Sequence, residues 1–133
     1  MSGLGKIAVV GASLAGLRAT EFIRRAKFEG ELVLIGDEPH LPYDRPPLSK
    51  EVLRGEWDRE RIALRRKSYD ELDAKLVLGR RAVSLDSDAR EVRLEGGDVV
   101  SFDGLVIATG GHVRTLPNHP ALDGVYTLRT LKR

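Results

Sequence analysis

The spacing of hydrophobic residues changes period near the start of the chain. The run KIAVV (Lys6–Val10) is short, apolar and ends in β-branched residues, which is typical of a buried strand. After Gly11 the apolar residues recur at helical spacing, while charged residues occupy the opposite face. This pattern predicts an amphipathic helix that ends near Gly30, a suitable C-cap residue. The apolar face predicted for the helix consists of Ala15, Ala19, Phe22 and Ala26.

A second apolar run, ELVLI (Glu31–Ile35), follows the predicted helix and is also typical of a buried strand. Strand, helix and strand within about 30 residues make a βαβ unit. Such a unit implies two parallel strands joined by a right-handed crossover. The fold class predicted from this segment is therefore α/β.

The middle of the chain is irregular and then changes to strand-like patterns. Residues 36–50 contain four prolines, which predicts a stiff loop, followed by a short helix at LSKEVLRG and a helical turn near Ser68–Leu72. KLVLG (Lys75–Gly79) is predicted to be a strand. Polar and apolar residues alternate over 81–102, which predicts a β-meander. LVIATGG is predicted to be a last buried strand that ends in a glycine turn.

The turn after the first strand resembles the dinucleotide-binding fingerprint G-x-G-x-x-G, with Ser13 at the position of the middle glycine. Gly11 permits a tight turn, and Gly16 permits close packing of the helix on the strands. Ser13 is small, and its hydroxyl group can donate to a phosphate oxygen. A glycine pair that serves only helix packing is the alternative. The position of the turn within a βαβ unit favours a nucleotide site.

Two acids, Asp37 and Glu38, follow the second strand about 20 residues after the glycines, where a ribose-binding carboxylate is expected. A carboxylate accepts hydrogen bonds from ribose hydroxyls and repels a 2′-phosphate, which disfavours NADP and allows NAD or FAD. Asp37 is the favoured contact and Glu38 the alternative. Both could also be ordinary surface acids.

Composition narrows the class of protein. The chain has 133 residues, of which 41% are hydrophobic and 32% charged, as in a single globular domain. A net charge of +2 gives no reason to expect binding to nucleic acid or membranes, and no apolar run approaches the ~18 residues of a membrane span. The absence of cysteine excludes disulfides and thiolate catalysis, and a cytoplasmic location is expected. No metal site is expected, because the histidines lack ligand spacing; they are His40, His112 and His119.

The segment YDRPPLSK, together with GASLAG, LVIATGG and YTLRTL, resembles the ferredoxin/rubredoxin reductase family of FAD-dependent pyridine-nucleotide oxidoreductases. The resemblance extends from about Lys6 to Leu131. It implies a Rossmann-like FAD-binding domain, with a parallel sheet and a β-meander crossover. It also implies a reaction in which NADH reduces FAD, and FAD passes electrons to a ferredoxin-like iron–sulfur protein.

The resemblance also implies which residues bind FAD. For the pyrophosphate it assigns Gly11, Ser13, Ala15 and Gly16. The adenosine ribose is assigned to Asp37, with Glu38, and the adenine to the backbone of Val83. On the flavin side the implied residues are Arg45 and Lys50, with Lys50 close to the isoalloxazine ring. The second FAD motif is Ala108, Thr109 and Gly110, and Arg129 reaches the cofactor near the end of the chain.

In the family, an NADH-binding domain and a C-terminal domain follow the first FAD-binding segment. We therefore expect residues 1–133 to be that first segment only, with the other two domains absent. The parent protein is expected to be an FAD-dependent NAD(P)H:ferredoxin oxidoreductase, whereas enzyme activity of the isolated chain stays open. The alternative from another class is a non-catalytic module, or inactive fragment, that binds FAD or ADP. The oligomeric state is not predicted.

Overall fold

The computed structural model describes residues 3–118 and 122–131, so His119 lies outside the described residues. Its regular elements are one α-helix, seven strands and two 3-10 turns. In chain order they are β1 (Lys6–Val10), α1 (Leu14–Arg25), β2 (Glu31–Ile35), the 3-10 turns Pro46–Ser49 and Asp70–Leu72, β3 (Lys75–Val77), β4 (Ala82–Asp86), β5 (Glu91–Leu94), β6 (Val99–Ser101) and β7 (Gly104–Ile107).

The central sheet is parallel and has the strand order β3-β2-β1-β7. β1 lies between two partners, because Val9 pairs with Leu34 of β2 on one side and with Val106 of β7 on the other. β4, β5 and β6 form a separate antiparallel meander, which connects β3 to β7 along the chain. The predicted α/β fold with a parallel sheet and a β-meander crossover is therefore confirmed.

Alternate residues of the buried strands pack into two different layers, as the period of a strand requires. Val9 and Leu34 belong to the cluster that includes Ala19 and Ile23 of α1. Their neighbours Val10 and Ile35 belong to the cluster that includes residues of the meander, namely Val92, Leu94 and Val100. The sheet is therefore covered by α1 on one face and by the meander on the other.

The predicted end and buried face of the helix are both wrong. α1 ends at Arg25, before Gly30, and Lys27 then adopts a left-handed conformation with φ 68°. The buried residues are Gly16, Leu17 and Thr20, whereas Ala15 and Ala26 are exposed and Phe22 is 65% exposed. The reason is Gly16, which brings its own side of the helix nearest to the strands. Of the predicted face, only Ala19 packs against the core, while Ala15, Phe22 and Ala26 are turned away.

Two further expectations differ from the structure. The predicted helix at LSKEVLRG is limited to the 3-10 turn Pro46–Ser49, because Lys50 leaves the helical region with φ −128° and ψ −103°. β7 is not fully buried, and Ile107 is 65% exposed. Within the described part of the chain β7 is an edge strand, which pairs with β1 on one side and has no neighbouring strand on the other.

Gly16→Ala tests the close contact between α1 and the turn that precedes it. A Cβ at Gly16 would overlap the carbonyl oxygen of Gly11, so the helix and the turn must separate. Overpacking of this kind costs about 1–3 kcal/mol, which exceeds the gain of about 1 kcal/mol from replacing a helical glycine by alanine. We expect a lower free energy of unfolding in urea.

Gly111→Ala is the matched control, because a Cβ at Gly111 meets no described atom within 4 Å. Its free energy of unfolding is expected to stay within about 0.5 kcal/mol of the unmodified protein, as for most surface substitutions. Equal stability of the two alanine variants would contradict the tight contact at Gly16.

Candidate functional site

An open cavity of about 260 Å³ lies where the carboxyl ends of β1 and β2 meet the end of β7. In open α/β sheets, ligands bind at this edge of the strands. The cavity is lined by Gly11, Ala12, Ser13, Gly36, Asp37, Glu38, His40, Tyr43, Arg45, Ala108, Thr109, Gly111, His112, Val113, Thr127, Arg129 and Thr130.

The amino end of α1 offers backbone donors at this cavity. Ser13 is the N-cap residue, and within the described residues its side chain makes no capping hydrogen bond. The first amide bonded in the helix pattern is that of Leu17, which donates to the Ser13 carbonyl oxygen at 2.9 Å. The amides before it, at residues 14–16, have no partner in the helix ladder. These donors and the helix dipole favour an anion such as a phosphate.

Gly11 and Gly16 are both required by the fold. Gly11 has φ +114°, and a Cβ there would overlap the carbonyl oxygen of Ala108. A Cβ at Gly16 would overlap Gly11 itself. Neither glycine alone therefore identifies a ligand, and the evidence for an anion is the unused amides beside Ser13.

The two acids after β2 have different surroundings. Glu38 accepts a hydrogen bond from the Tyr43 hydroxyl at 2.6 Å and another from Arg45 Nη2 at 2.8 Å, one on each carboxylate oxygen. The Asp37 side chain lies exposed at the cavity and has no hydrogen-bond or ion-pair partner among residues 3–118 and 122–131. Asp37 is thus the acid whose oxygens can accept hydrogen bonds from a ligand.

Arg45 joins three segments around the cavity. Its Nε lies 3.4 Å from Ser13 Oγ, a long hydrogen bond, and its Nη1 donates to the Arg129 carbonyl oxygen at 2.6 Å. The guanidinium also lies 5.1 Å from the centre of the Tyr43 ring, at cation–π distance. Burial, and then the hydrogen bond to Glu38, raise the pKa of Tyr43 to about 12, so its hydroxyl is a donor at neutral pH.

The glycine turn after β7 also reaches the cavity. Ala108 and Thr109 line the cavity, and the Ala108 amide donates to the Val10 carbonyl oxygen at 2.7 Å. Gly110 lies beside the Arg129 side chain, since a Cβ at Gly110 would be 3.3 Å from Arg129 Nη2. The second motif and Arg129 are therefore neighbours in space.

Five of the residues assigned by resemblance are not among those that line this cavity, namely Ala15, Gly16, Lys50, Val83 and Gly110. Lys50 is exposed after the 3-10 turn, Val83 is 53% exposed on β4, and Ala15 is exposed in the first turn of α1. Their roles stay predictions. Gly16 is buried behind the cavity and shapes it through Gly11.

Sequence reasoning missed several residues at the cavity. Tyr43 lies in the segment YDRPPLSK, five residues after Glu38 in a proline-stiffened loop. That position is the sequence feature that could have predicted its contact with Glu38. His40, His112 and Thr127 also line the cavity. They come from separate loops, so no spacing in the sequence connects them.

Comparisons with known proteins agree with this geometry. A family model described as pyridine nucleotide-disulphide oxidoreductase matches residues 5–133. The ferredoxin reductase component of chlorobenzene dioxygenase from Cupriavidus sp. (strain PS12) is 42% identical over 125 residues, which are 93% of this chain and 30% of that protein. Rhodocoxin reductase from Rhodococcus erythropolis is 42% identical over 126 residues, with the same two coverages.

Solved structures of reductases are also similar to this chain. The ferredoxin reductase for the CYP199A2 system from Rhodopseudomonas palustris has a TM-score of 0.86 against this chain at 36% identity. The match covers 95% of this chain and 31% of that one. The covalent putidaredoxin reductase–putidaredoxin complex has a TM-score of 0.79 at 34% identity, with coverages of 85% and 27%. The chain spans about 30% of the length of the curated relatives it matches. Among its described residues no helix has the length and hydropathy to cross a membrane.

The raised pKa of Tyr43 predicts a pH dependence of stability. The folded pKa of about 12 exceeds the ordinary value of 10.0, so the stabilisation linked to this proton is complete below pH 10 and is lost as the pH rises through 12. Stability measured in urea should fall more between pH 10 and 12 for the unmodified protein than for Tyr43→Phe. Parallel slopes for the two proteins would contradict the assignment.

Proposed function

Because the chain belongs to the pyridine nucleotide-disulphide oxidoreductase family, we propose that it forms the FAD-binding part of an NADH-dependent ferredoxin reductase. NADH would supply the electrons, and a ferredoxin-like iron–sulfur protein would accept them. The names of the relatives, which are reductase components that serve dioxygenase systems, support this activity. The observation that carries the proposal is the start of α1, where the N-cap residue Ser13 lines a cavity at the carboxyl ends of parallel strands and precedes amides that have no partner in the helix ladder.

The donors and acceptors at the cavity fit the ADP half of FAD. The amides of residues 14–16 can donate to the pyrophosphate, and Asp37 can accept from the adenosine ribose. The Arg129 side chain adds a positive charge at the same cavity, beside Ala108 and Thr109. An acid at the ribose also fits FAD or NAD better than NADP.

FAD, when bound, supplies a centre that takes two electrons as hydride and releases them singly to a one-electron acceptor. The residues described above act by binding and orienting its nucleotide half. Lys50 and Arg45 are proposed on the flavin side and the Val83 backbone at the adenine, by resemblance to the family. A cytoplasmic location, where NADH is available, is part of the same proposal.

A non-catalytic module that binds FAD or ADP is the competing function, and spectroscopy separates the two. The proposal expects the reductase containing this segment to carry a flavin absorbance band that NADH bleaches. It also expects a ferredoxin to restore that band. Binding of flavin without bleaching by NADH would favour the non-catalytic module.

Asp37→Ala tests the ribose contact. Loss of charge-assisted hydrogen bonds should weaken ADP binding by about 1.5–3 kcal/mol, or about 10- to 150-fold in Kd, measured by calorimetric titration. Asp88→Ala is the control, because Asp88 is an exposed acid on the β4–β5 turn, outside the cavity. An unchanged Kd for Asp37→Ala would remove Asp37 from the site. Titration of Glu38→Ala with adenosine, which has the ribose and no phosphate, would then test the alternative acid.

Ser13→Gly tests whether the serine at the middle fingerprint position is tolerated or required. Ser13 has an extended backbone with φ −126°, and among the residues that the structure describes its hydroxyl has only the long contact with Arg45. Since the proposed phosphate donors are backbone amides, ADP affinity in Ser13→Gly is expected to stay within about threefold of the unmodified value. A loss of tenfold or more would make the hydroxyl a necessary ligand.

A further inference from the structure

We propose that Glu38, Tyr43 and Arg45 form a latch that holds residues 127–131, the strap, at the cavity and thereby positions the Arg129 guanidinium for a bound phosphate. In this assignment Glu38 does not bind the nucleotide. It is a positioning residue, as are Tyr43 and Arg45. The inference rests on the proposed function, because it concerns the nucleotide phosphate of that site.

The latch holds the strap by its backbone on both sides of Arg129. Arg45 Nη1 donates to the Arg129 carbonyl oxygen at 2.6 Å, and the Leu131 amide donates to the Tyr43 hydroxyl at 3.1 Å. Both bonds are to the main chain, so they fix the path of the strap and leave the Arg129 side chain available.

The three latch residues also hold one another. The Tyr43 hydroxyl donates to Glu38 Oε2 at 2.6 Å while it accepts from the strap, so both of its hydrogen-bonding functions are used. Arg45 Nη2 pairs with Glu38 Oε1 at 2.8 Å, and both of these side chains are mostly buried. Glu38 therefore fixes the hydroxyl and the guanidinium that hold the strap.

The strap depends on these contacts because it has no regular secondary structure, and its first two residues are exposed. A further anchor is Leu131, which packs against the small core of Tyr43, Leu48 and Ile62. Tyr43 thus takes part in both anchors, through its hydroxyl and through its ring.

The side chain that the strap presents is suited to an anion. Arg129 lines the cavity with Ser13 and Thr109, and its Nη2 is close to Gly110. Within the described part of the chain, the Arg129 guanidinium has no hydrogen-bond or ion-pair partner, whereas each of the three guanidinium nitrogens of Arg45 makes a hydrogen bond. A phosphate at the amino end of α1 is the ligand chemistry that such a cation fits.

The test compares Tyr43→Phe with Tyr126→Phe by calorimetric titration with ADP and with adenosine. Tyr43→Phe removes the three hydrogen bonds of the hydroxyl, with Glu38, Arg45 and the Leu131 amide, and keeps the ring, so ADP affinity should fall about tenfold. Adenosine affinity should change less than about twofold, because adenosine has no phosphate for Arg129 to contact. Tyr126 is 82% exposed and outside this cavity, so Tyr126→Phe should leave both affinities unchanged. Glu38→Gln keeps the Tyr43 hydroxyl and should lower ADP affinity by a similar factor. It replaces Tyr43→Phe in the test if that variant does not fold.

A double-mutant cycle distinguishes positioning through Arg129 from a general loss of structure. Arg129→Met should itself weaken ADP binding, and adding Tyr43→Phe to that variant should cause no further loss. Additive losses, equal losses for ADP and adenosine, or an unchanged ADP affinity in Tyr43→Phe would each overturn the latch. Failure of the unmodified protein to bind ADP would instead overturn the proposed function, and the latch with it.

Discussion

The site depends on the close approach of three backbone segments at Gly11. Its amide donates to the Ile35 carbonyl oxygen at 2.8 Å, while the Ala108 amide donates to the residue before it, Val10. The start of α1 packs on the same residue, because the helix side that carries Gly16 lies against the Gly11 carbonyl. Only glycine fits at the two contact positions. This contact brings the amino end of the helix to the carboxyl ends of three strands, which is where the free amides are useful to an anion.

The same arrangement separates two kinds of polar group at the cavity. One kind is satisfied within the protein, as in the pair of Glu38 and Arg45 with the Tyr43 hydroxyl. The other kind consists of the first-turn amides of α1 and the Asp37 carboxylate, which have donors or acceptors that no described residue uses. Polar groups that are already paired within the protein are suited to holding loops in place, whereas groups with unused donors or acceptors at the cavity are suited to binding a ligand.

The fold was readable from sequence where the pattern was strong. β1 and β2 were predicted to the residue, because each is a continuous apolar run beside a turn. The buried face of α1 was missed because alanines carry little directional information and because Gly16, which marks the contact side, has no hydrophobic side chain. Ile107 was predicted to be buried, since an apolar run does not reveal that its strand lies at an edge.

The site was readable in part. The fingerprint turn and the acids after β2 were located by spacing, and the turn after β7 by resemblance to the family; all three meet at one cavity. Asp37 was favoured over Glu38 from the sequence, but the contacts that engage Glu38 were not readable, because they depend on where Tyr43 and Arg45 lie in space. The contact of Arg45 with Arg129 joins residues 84 positions apart, and no local pattern encodes it.

The most direct test of the nucleotide site is an amide chemical-shift titration of the ¹⁵N-labelled protein with ADP. We expect the largest shifts at the amides of residues 14–16 and at Asp37, and we expect them to saturate together with one dissociation constant. An absence of shifts at millimolar ADP, or shifts confined to residues away from the amino end of α1, would contradict this expectation.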